Sequence, residues 1–582
     1  MVKWNLNDIY PNFSEENLNK TLDSVRKKVE KFEDHRDKLK SGISGKEVFK
    51  MIQELESISR EAGSVGAYAH LKLSEDTTSH EWNAVSSKLD QFGAEIGNKL
   101  LFFSIWWKDL DDKNAEKILK DLGKYEFMMR EKRKFKPYTL KENEEKIINI
   151  KDITGGSAMS NIYDIITNSY TYDFEGKKDI SQAEVMENVK SPNAKLREKA
   201  YETVLGRYGN EESVLGELYR NIVLDWVNEG IKLRNYKSSI AVRNLGNDIP
   251  DEAVDVLLNV CRKNVGIFQD YFKLKAKIIG MKKLRRYDVY APIKGSQKKI
   301  NYDDALNTVL GVFKSFDYKF YECASRVINE QHIHSDIQRG KQSGAFCSSI
   351  TPEMTPYVLL NWVGNYNDMS TLAHELGHSI HSMLAEKHTL FDFHSCLPLA
   401  ETASIFSEMV LEEELLKRGM PKDEEIHMLA TQLDGSYASI IRQAYFVLFE
   451  KKMHEMIEKG ATIGEMNKAY MENLKEQFGD SLELPEVFQH EWKYIPHIFH
   501  SPFYCYAYAF GNLLVLSLFK MYKEQGKEFV PKYIKILSYG GSEVPEKILS
   551  EVGIDIKDEK FWQGGFDLIK EMVARLEREL NE

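Results

Sequence analysis

Residues 371–384 read TLAHELGHSIHSML, placing His374, Glu375, His378 and His381 in one short run. At about 100° per residue, a helix there brings the three histidines within roughly 60° of one another. Leu372, Leu376, Ile380, Met383 and Leu384 then occupy the opposite side. Such a helix has an apolar back for a core and a histidine front. Asp368, Ser370 and Thr371 are its candidate N-caps, with the helix starting near Leu372. Gly377 costs about 1 kcal/mol of helix propensity relative to alanine. Close packing by a neighbouring element would explain that choice.

His374 and His378 lie one turn apart, so both imidazoles can reach one Zn²⁺ at about 2.0–2.1 Å. Glu375 points about 100° away from His374. It is badly placed to ligate beside them, but it can take a proton from a water at the metal. The plain alternative is a surface helix with polar residues at helical spacing. A catalytic zinc also needs a third protein ligand and an open position. The arrangement H-E-x-x-H-x-x-G-x-x-H is excluded, because residues 381 and 384 are His and Leu. A carboxylate from a following helix remains. LPLAETASIFSEMVLEEELLKRG (397–419) reads as that helix, with Pro398 at its start and Gly419 at its end. Glu401 and Glu408 are seven apart and share a face. Glu401 can be a ligand, with Glu408 orienting a metal-bound histidine, or merely an acid favoured in a first helical turn. Spacing leaves both open. Glu412 to Glu414 read as solvated charges.

The rest of the chain sets bounds. Its 582 residues, 42% of them hydrophobic, suffice for a large core. Lys and Arg number 79 against 90 Asp and Glu, a net charge of −11. That argues against nucleic acid or an anionic membrane as the main partner. Cys261, Cys323, Cys347, Cys396 and Cys505 form no C-x-x-C pair. A cysteine-held structural zinc is therefore not expected, and scattered thiols suit a reducing, cytoplasmic setting. The opening MVKWNLNDIYPNFSEENL lacks the apolar run of a signal peptide. Ser501–Phe519 carries no charge and is long enough to span a bilayer. Tyrosines crowd its first half and Gly511 and Asn512 interrupt it, so a buried helix is the better reading.

Most of the chain shows helical periodicity, as in residues 14–39 and 45–73. Residues 533–553 hold two helical runs split by Gly540-Gly541. Strand signals are few. SYTYDFEG (169–176) is one, and AFCSSITPEMTPYVLLNW (345–362) reads as a strand pair just before the histidine helix. Ser191-Pro192 restarts a helix. We therefore expect an N-terminal helical region over 1–190 and a catalytic region over 191–582.

TLAHELGHSIHSML followed by ETASIFSE resembles the M3 family of zinc metallopeptidases, and within it the oligoendopeptidase F branch. GAFCSSITPEMTPYVLLNW, PHIFHSPFYCYAYAFGNLL and the opening WNLNDIYPNF resemble that branch too. The resemblance implies a mainly α, ellipsoidal protein with a deep substrate channel and a small β-sheet near the histidine helix. It implies one Zn²⁺ per chain, held by His374, His378 and Glu401, with Glu375 as general base. It also implies a histidine and tyrosines that steady the developing oxyanion. His497, Tyr504 and Tyr508 are the candidates: in a helix starting near Pro502, Tyr504 and Tyr508 share a face while Tyr506 points away. His381, His394 and His500 have no matched role.

The implied reaction is hydrolysis of internal bonds in short peptides, by a monomer or small homo-oligomer. The backbone at Gly344 and Ala345 is expected to pair with extended substrate. Two other readings are a carboxypeptidase-type zinc exopeptidase with the same ligands and a non-enzymatic helical peptide-binding protein.

Overall fold

The computed structural model describes residues 2–11, 13–40, 42–293 and 299–581. The chain is mainly α-helical, and it forms two compact units of interleaved segments. The first comprises Met1–Thr139, Gln297–Arg418 and Glu524–Val552, and the second Leu140–Ser296, Gly419–Lys523 and Gly553–Glu582. The division at 190/191 read from the sequence falls inside the second unit.

In the first unit, the helices Glu15–Glu33, Gly45–Glu75 and His80–Asp109 pack on one another. Their apolar stripes meet in a core that includes Leu22, Val29, Phe32, Ile52, Phe103 and Trp107. The ends are set locally. Ser44 and Glu47 close a capping box, and Ser14 and Ser79 accept backbone N–H groups that have no helical acceptor.

A three-stranded sheet in this unit underlies the histidine run. Tyr357–Leu359 lies in the centre, parallel to Ile333–His334 and antiparallel to Phe346–Ser348. The strand pair expected over 345–362 is therefore present, and a third strand from far upstream joins it. Phe346–Ser348 is an edge strand among the described residues. Trp4 locks the start of the chain beneath the sheet. Its ring packs edge-on against His334 and Tyr357, and its Nε1 donates to Glu75 at 2.6 Å.

The histidine helix spans Tyr366–Leu384, longer at its start than a beginning near Leu372. The difference is the cap. Asn365 accepts from the Asp368 N–H, while the Asp368 carboxylate accepts from the backbone N–H groups of residues 363 to 365. The following helix also differs. Leu397–Ala400 is one short turn, residues 401–403 leave the helix, and Ser404–Arg418 resumes it. The Tyr533 hydroxyl donates to the Thr402 carbonyl at 2.8 Å within that break. Gly419 follows at φ 77°, as expected for a glycine stop.

The second unit is also helical, with a two-stranded hairpin, Thr171–Phe174 against Lys177–Ser181, where SYTYDFEG predicted a strand. Buried ion pairs tie its helices together: Arg197 to Asp288 at 2.8 Å and Arg286 to Glu491 at 2.6 Å. The charge-free stretch runs through a turn into the helix Tyr506–Gln525, which buries Leu513 to Phe519. Among the described residues no helix is long and apolar enough to cross a membrane. All five cysteines are free.

Candidate active site

The histidine helix buries Leu372, Leu376 and Ile380 completely, so its back is fixed in the core. The helix Ser404–Arg418 packs against it. Gly377 is the contact point. A Cβ there would lie 2.7 Å from the Ala403 carbonyl oxygen and 2.7 Å from the Ser404 Cα. Alanine would push the two elements apart, and with them Glu401 from the histidines.

His374 Nε2 lies 3.3 Å from Glu401 Oε2, and His378 Nε2 lies 3.5 Å from the same oxygen. All three atoms are within 4.8 Å of one another, the one such group of three among the described residues. Ligand atoms at about 2.0–2.1 Å from a tetrahedral zinc are themselves about 3.3–3.4 Å apart. Donor set and spacing thus fit Zn²⁺. The break at residues 401–403 does not spoil Glu401. It turns the carboxylate toward the histidines, and Ser404 Oγ donates to Glu401 Oε2 at 2.6 Å.

Behind the ligands, His374 Nδ1 donates to Glu408 Oε1 at 2.5 Å, and Ser370 Oγ donates to Glu408 Oε2 at 2.8 Å. This commits the His374 proton to Nδ1 and leaves Nε2 for a metal. Ser370, weighed from the sequence only as a cap, instead steadies Glu408. Glu412, read as a solvated charge, is buried, and burial pushes its carboxyl well above the usual range. It lies one turn beyond Glu408, on the helix's inner side.

Electrostatics follow from burial and these carboxylates. Burial disfavours charge on His374, but hydrogen bonds to Glu401 and Glu408 outweigh it and raise it to about 10. Burial brings His378 down to about 4. Burial opposes ionisation of Glu401, yet the bond from His374 and the neighbouring histidines take it down to about 2. Glu375 is 5% exposed, its Oε2 has no partner, and burial raises it to about 7. A carboxyl of that kind is poised to take and return a proton near neutrality.

These groups face a cavity of about 410 Å³, also lined by Ala345, Phe346, Cys347, Phe393 and His394. The sheet is pinned to the histidine helix by Cys347 Sγ against Ser379 Oγ at 3.3 Å and Ser349 Oγ against Ser382 Oγ at 2.6 Å. Gly344 precedes the edge strand at φ 80°, and its carbonyl accepts from Asn361 Nδ2 at 2.8 Å. His381 and His394 line the cavity but stay outside the three-atom group.

The sequence profile of peptidase family M3 matches residues 188–568. The chain belongs to peptidase family M3. A second profile, oligopeptidase F, matches residues 106–172 and identifies the branch. A curated relative, the oligoendopeptidase F homolog of Borreliella burgdorferi, is 29% identical over 95% of this chain and 94% of its own. Oligopeptidase PepF of Bacillus subtilis is 24% identical over 99% and 86%. Among solved structures, oligoendopeptidase-F from Enterococcus faecium shares the fold, with a TM-score of 0.74 at 20% identity over 98% of this chain and all of the other. This M3 chain is thus a metallopeptidase of the oligoendopeptidase F kind.

The M3 residues expected near the C-terminus lie in the second unit. Tyr508 Oη is 3.5 Å from His497 Nε2, and the Tyr504 and Tyr508 rings meet edge-on at 5.2 Å. The three side chains thus form a group of their own. Tyr506 turns away, its Oη accepting from Asn247 Nδ2 at 2.9 Å. The helix begins at Tyr506 rather than near Pro502, so Tyr504 sits in the preceding turn. His500 pairs with Asp164 at 2.9 Å.

Proposed function

We propose that this M3 chain hydrolyses internal bonds of short peptides, with one zinc ion held by His374, His378 and Glu401 and with Glu375 as general base. The convergence of the three ligand atoms beside the unpartnered Glu375 oxygen carries this reading. When bound there, zinc supplies Lewis acidity that polarises a carbonyl and acidifies water. Glu375 accepts the proton of the attacking water on its carboxylate and hands it to the nitrogen of the leaving amine. Glu408 holds His374 in the tautomer and orientation that offer Nε2.

The edge strand Phe346–Ser348 and the backbone at Gly344 and Ala345 suit an extended substrate added as a further strand. Backbone pairing of that kind reads peptide geometry more than side-chain identity. His497, Tyr504 and Tyr508 are proposed as donors to the developing oxyanion, supported by their segment's resemblance and their mutual grouping. The names of the curated relatives support oligopeptides as substrates. Five free cysteines suit a reducing compartment.

Mass-spectrometric mapping of cuts in a mixed peptide library, with and without chelator, tests the reading. Internal cuts that vanish with chelator and persist on C-terminally amidated peptides are expected. Release of single terminal residues only from free carboxyl ends would replace this reading with an exopeptidase.

A further inference from the structure

The turn that carries Tyr504 contains an unusual backbone. Phe503 adopts φ +59°, the left-handed region, although it is a bulky residue that is 1% exposed. Among the described residues, the other non-glycine residues in that region are Glu175, Asp179, Asn235, Asp248 and Gln331, all polar. A buried phenylalanine is an outlier there, and such conformations persist only where surroundings enforce them.

The surroundings are specific. Glu450, on the helix Arg442–Glu458, is 1% exposed, and its Oε1 accepts from the Phe503 N–H at 2.8 Å. Arg243 donates through Nε to the Pro502 carbonyl at 3.1 Å and through Nη2 to Ser501 Oγ at 2.8 Å. Asn247 follows one turn later on the same stretch and holds Tyr506. The His454 ring lies against the Phe503 ring at 4.6 Å. Residues 501, 502, 503 and 506 are thus gripped on both sides of Tyr504, all within the second unit. Each partner bonds to or packs against the turn or the helix start that follows it.

We propose that Arg243 and Glu450 are positioning residues, a clamp that forces the left-handed turn at Phe503 and so fixes where the Tyr504 and Tyr508 hydroxyls stand. The clamp rests on the reading of those tyrosines as oxyanion donors. Donors of this kind act only when held in place before the reaction. Without the clamp, the turn relaxes toward a right-handed backbone and the helix gains residues at its start. Tyr504 then rotates off the position it shares with Tyr508. Glu450 serves as an acceptor of one N–H rather than as a charge, so an amide oxygen can replace its carboxylate.

The test compares kcat and KM for R243M, E450L, E450Q, Y508F and the double variant R243M/Y508F in the full zinc-loaded chain. Folding is checked by circular dichroism and zinc content. R243M and E450L are expected to lower kcat by roughly 30- to 100-fold with KM within about twofold. E450Q should stay within about threefold of the parent, a rescue that a need for charge would not give. R243M/Y508F should fall no further than R243M alone, because loss of the clamp already misplaces the Tyr508 hydroxyl. If E450L does not fold, R243M and the double variant decide. Y508F lowered while folded R243M keeps parental kcat, or losses that multiply in the double variant, overturns the clamp alone. Y508F with parental kcat overturns the oxyanion reading and the clamp with it.

Discussion

His374 Nδ1 and Glu408 Oε1 lie 2.5 Å apart, one on the histidine helix and one on the helix that follows. The bond fixes the ring that supplies Nε2 to the ligand group, and Ser370 fixes Glu408 in turn. Replacing Glu408 with alanine leaves Nδ1 without its acceptor and the ring free to turn. Zinc affinity should fall by roughly 10- to 100-fold, measured by competition with a chromogenic chelator. Ser370→Ala should cost less, since Glu408 retains its bond to the histidine.

Gly377→Ala should separate the two helices. The added Cβ meets two backbone atoms at 2.7 Å, and neither can swing away. Overpacking of this kind costs about 1–3 kcal/mol. Thermal unfolding should occur at lower temperature, and zinc content should drop as Glu401 moves off the histidines.

Zinc uptake should release close to one proton. Carboxylates of Glu401 and Glu408 outweigh burial and hold His374 near 10, so it is protonated at neutral pH, while burial keeps His378, near 4, neutral. Glu401, near 2, is already ionised. A ligand must shed its proton before it binds metal, so affinity should rise about tenfold per pH unit between pH 5 and 9. Calorimetry in buffers of different ionisation enthalpy counts the proton. A buffer-independent enthalpy would contradict the assignment.

Glu450 gives the second unit a pH-dependent stability. Burial raises it to about 8, against the Phe503 N–H and the Arg243 charge. A carboxyl raised in the folded state contributes fully below its unfolded value and loses that contribution as pH rises through the folded one. Glu450 therefore supports the fold below about pH 4.5, and the support is lost progressively up to about pH 8. Glu450→Gln should be more stable than the parent at pH 9 and lose that advantage toward pH 5, as measured by thermal unfolding.

What the sequence reveals here depends on how local the cause is. HELGH was legible because helical spacing fixes where His374, Glu375 and His378 point. Gly377 was legible as a close contact because a mid-helix glycine has few other uses. Spacing alone left Glu401 open between two options, and only the family resemblance pointed to a ligand. Its place beside the histidines comes from a break at residues 401–403 in contact with Tyr533, over a hundred residues away. The early start of the histidine helix lay in an Asn365–Asp368 pair just outside the periodic run. Phe503 carries no signal for a left-handed backbone, so the turn before Tyr506 could not be foreseen. Glu412 looked solvated because a run of three acids usually is, whereas its face of the helix turns inward. The two interleaved units reflect pairings hundreds of residues apart, which no periodicity records.

The central claim is that Glu375 moves the proton while His374, His378 and Glu401 hold the metal. Glu375→Gln keeps the shape of the side chain and removes its basicity, and it touches no ligand atom. The decisive measurement is kcat for an internally quenched peptide, with zinc content determined on the same sample. The account predicts a loss of at least about 100-fold, with one zinc per chain retained. A zinc-loaded variant that cleaves the peptide at the parental rate would contradict it.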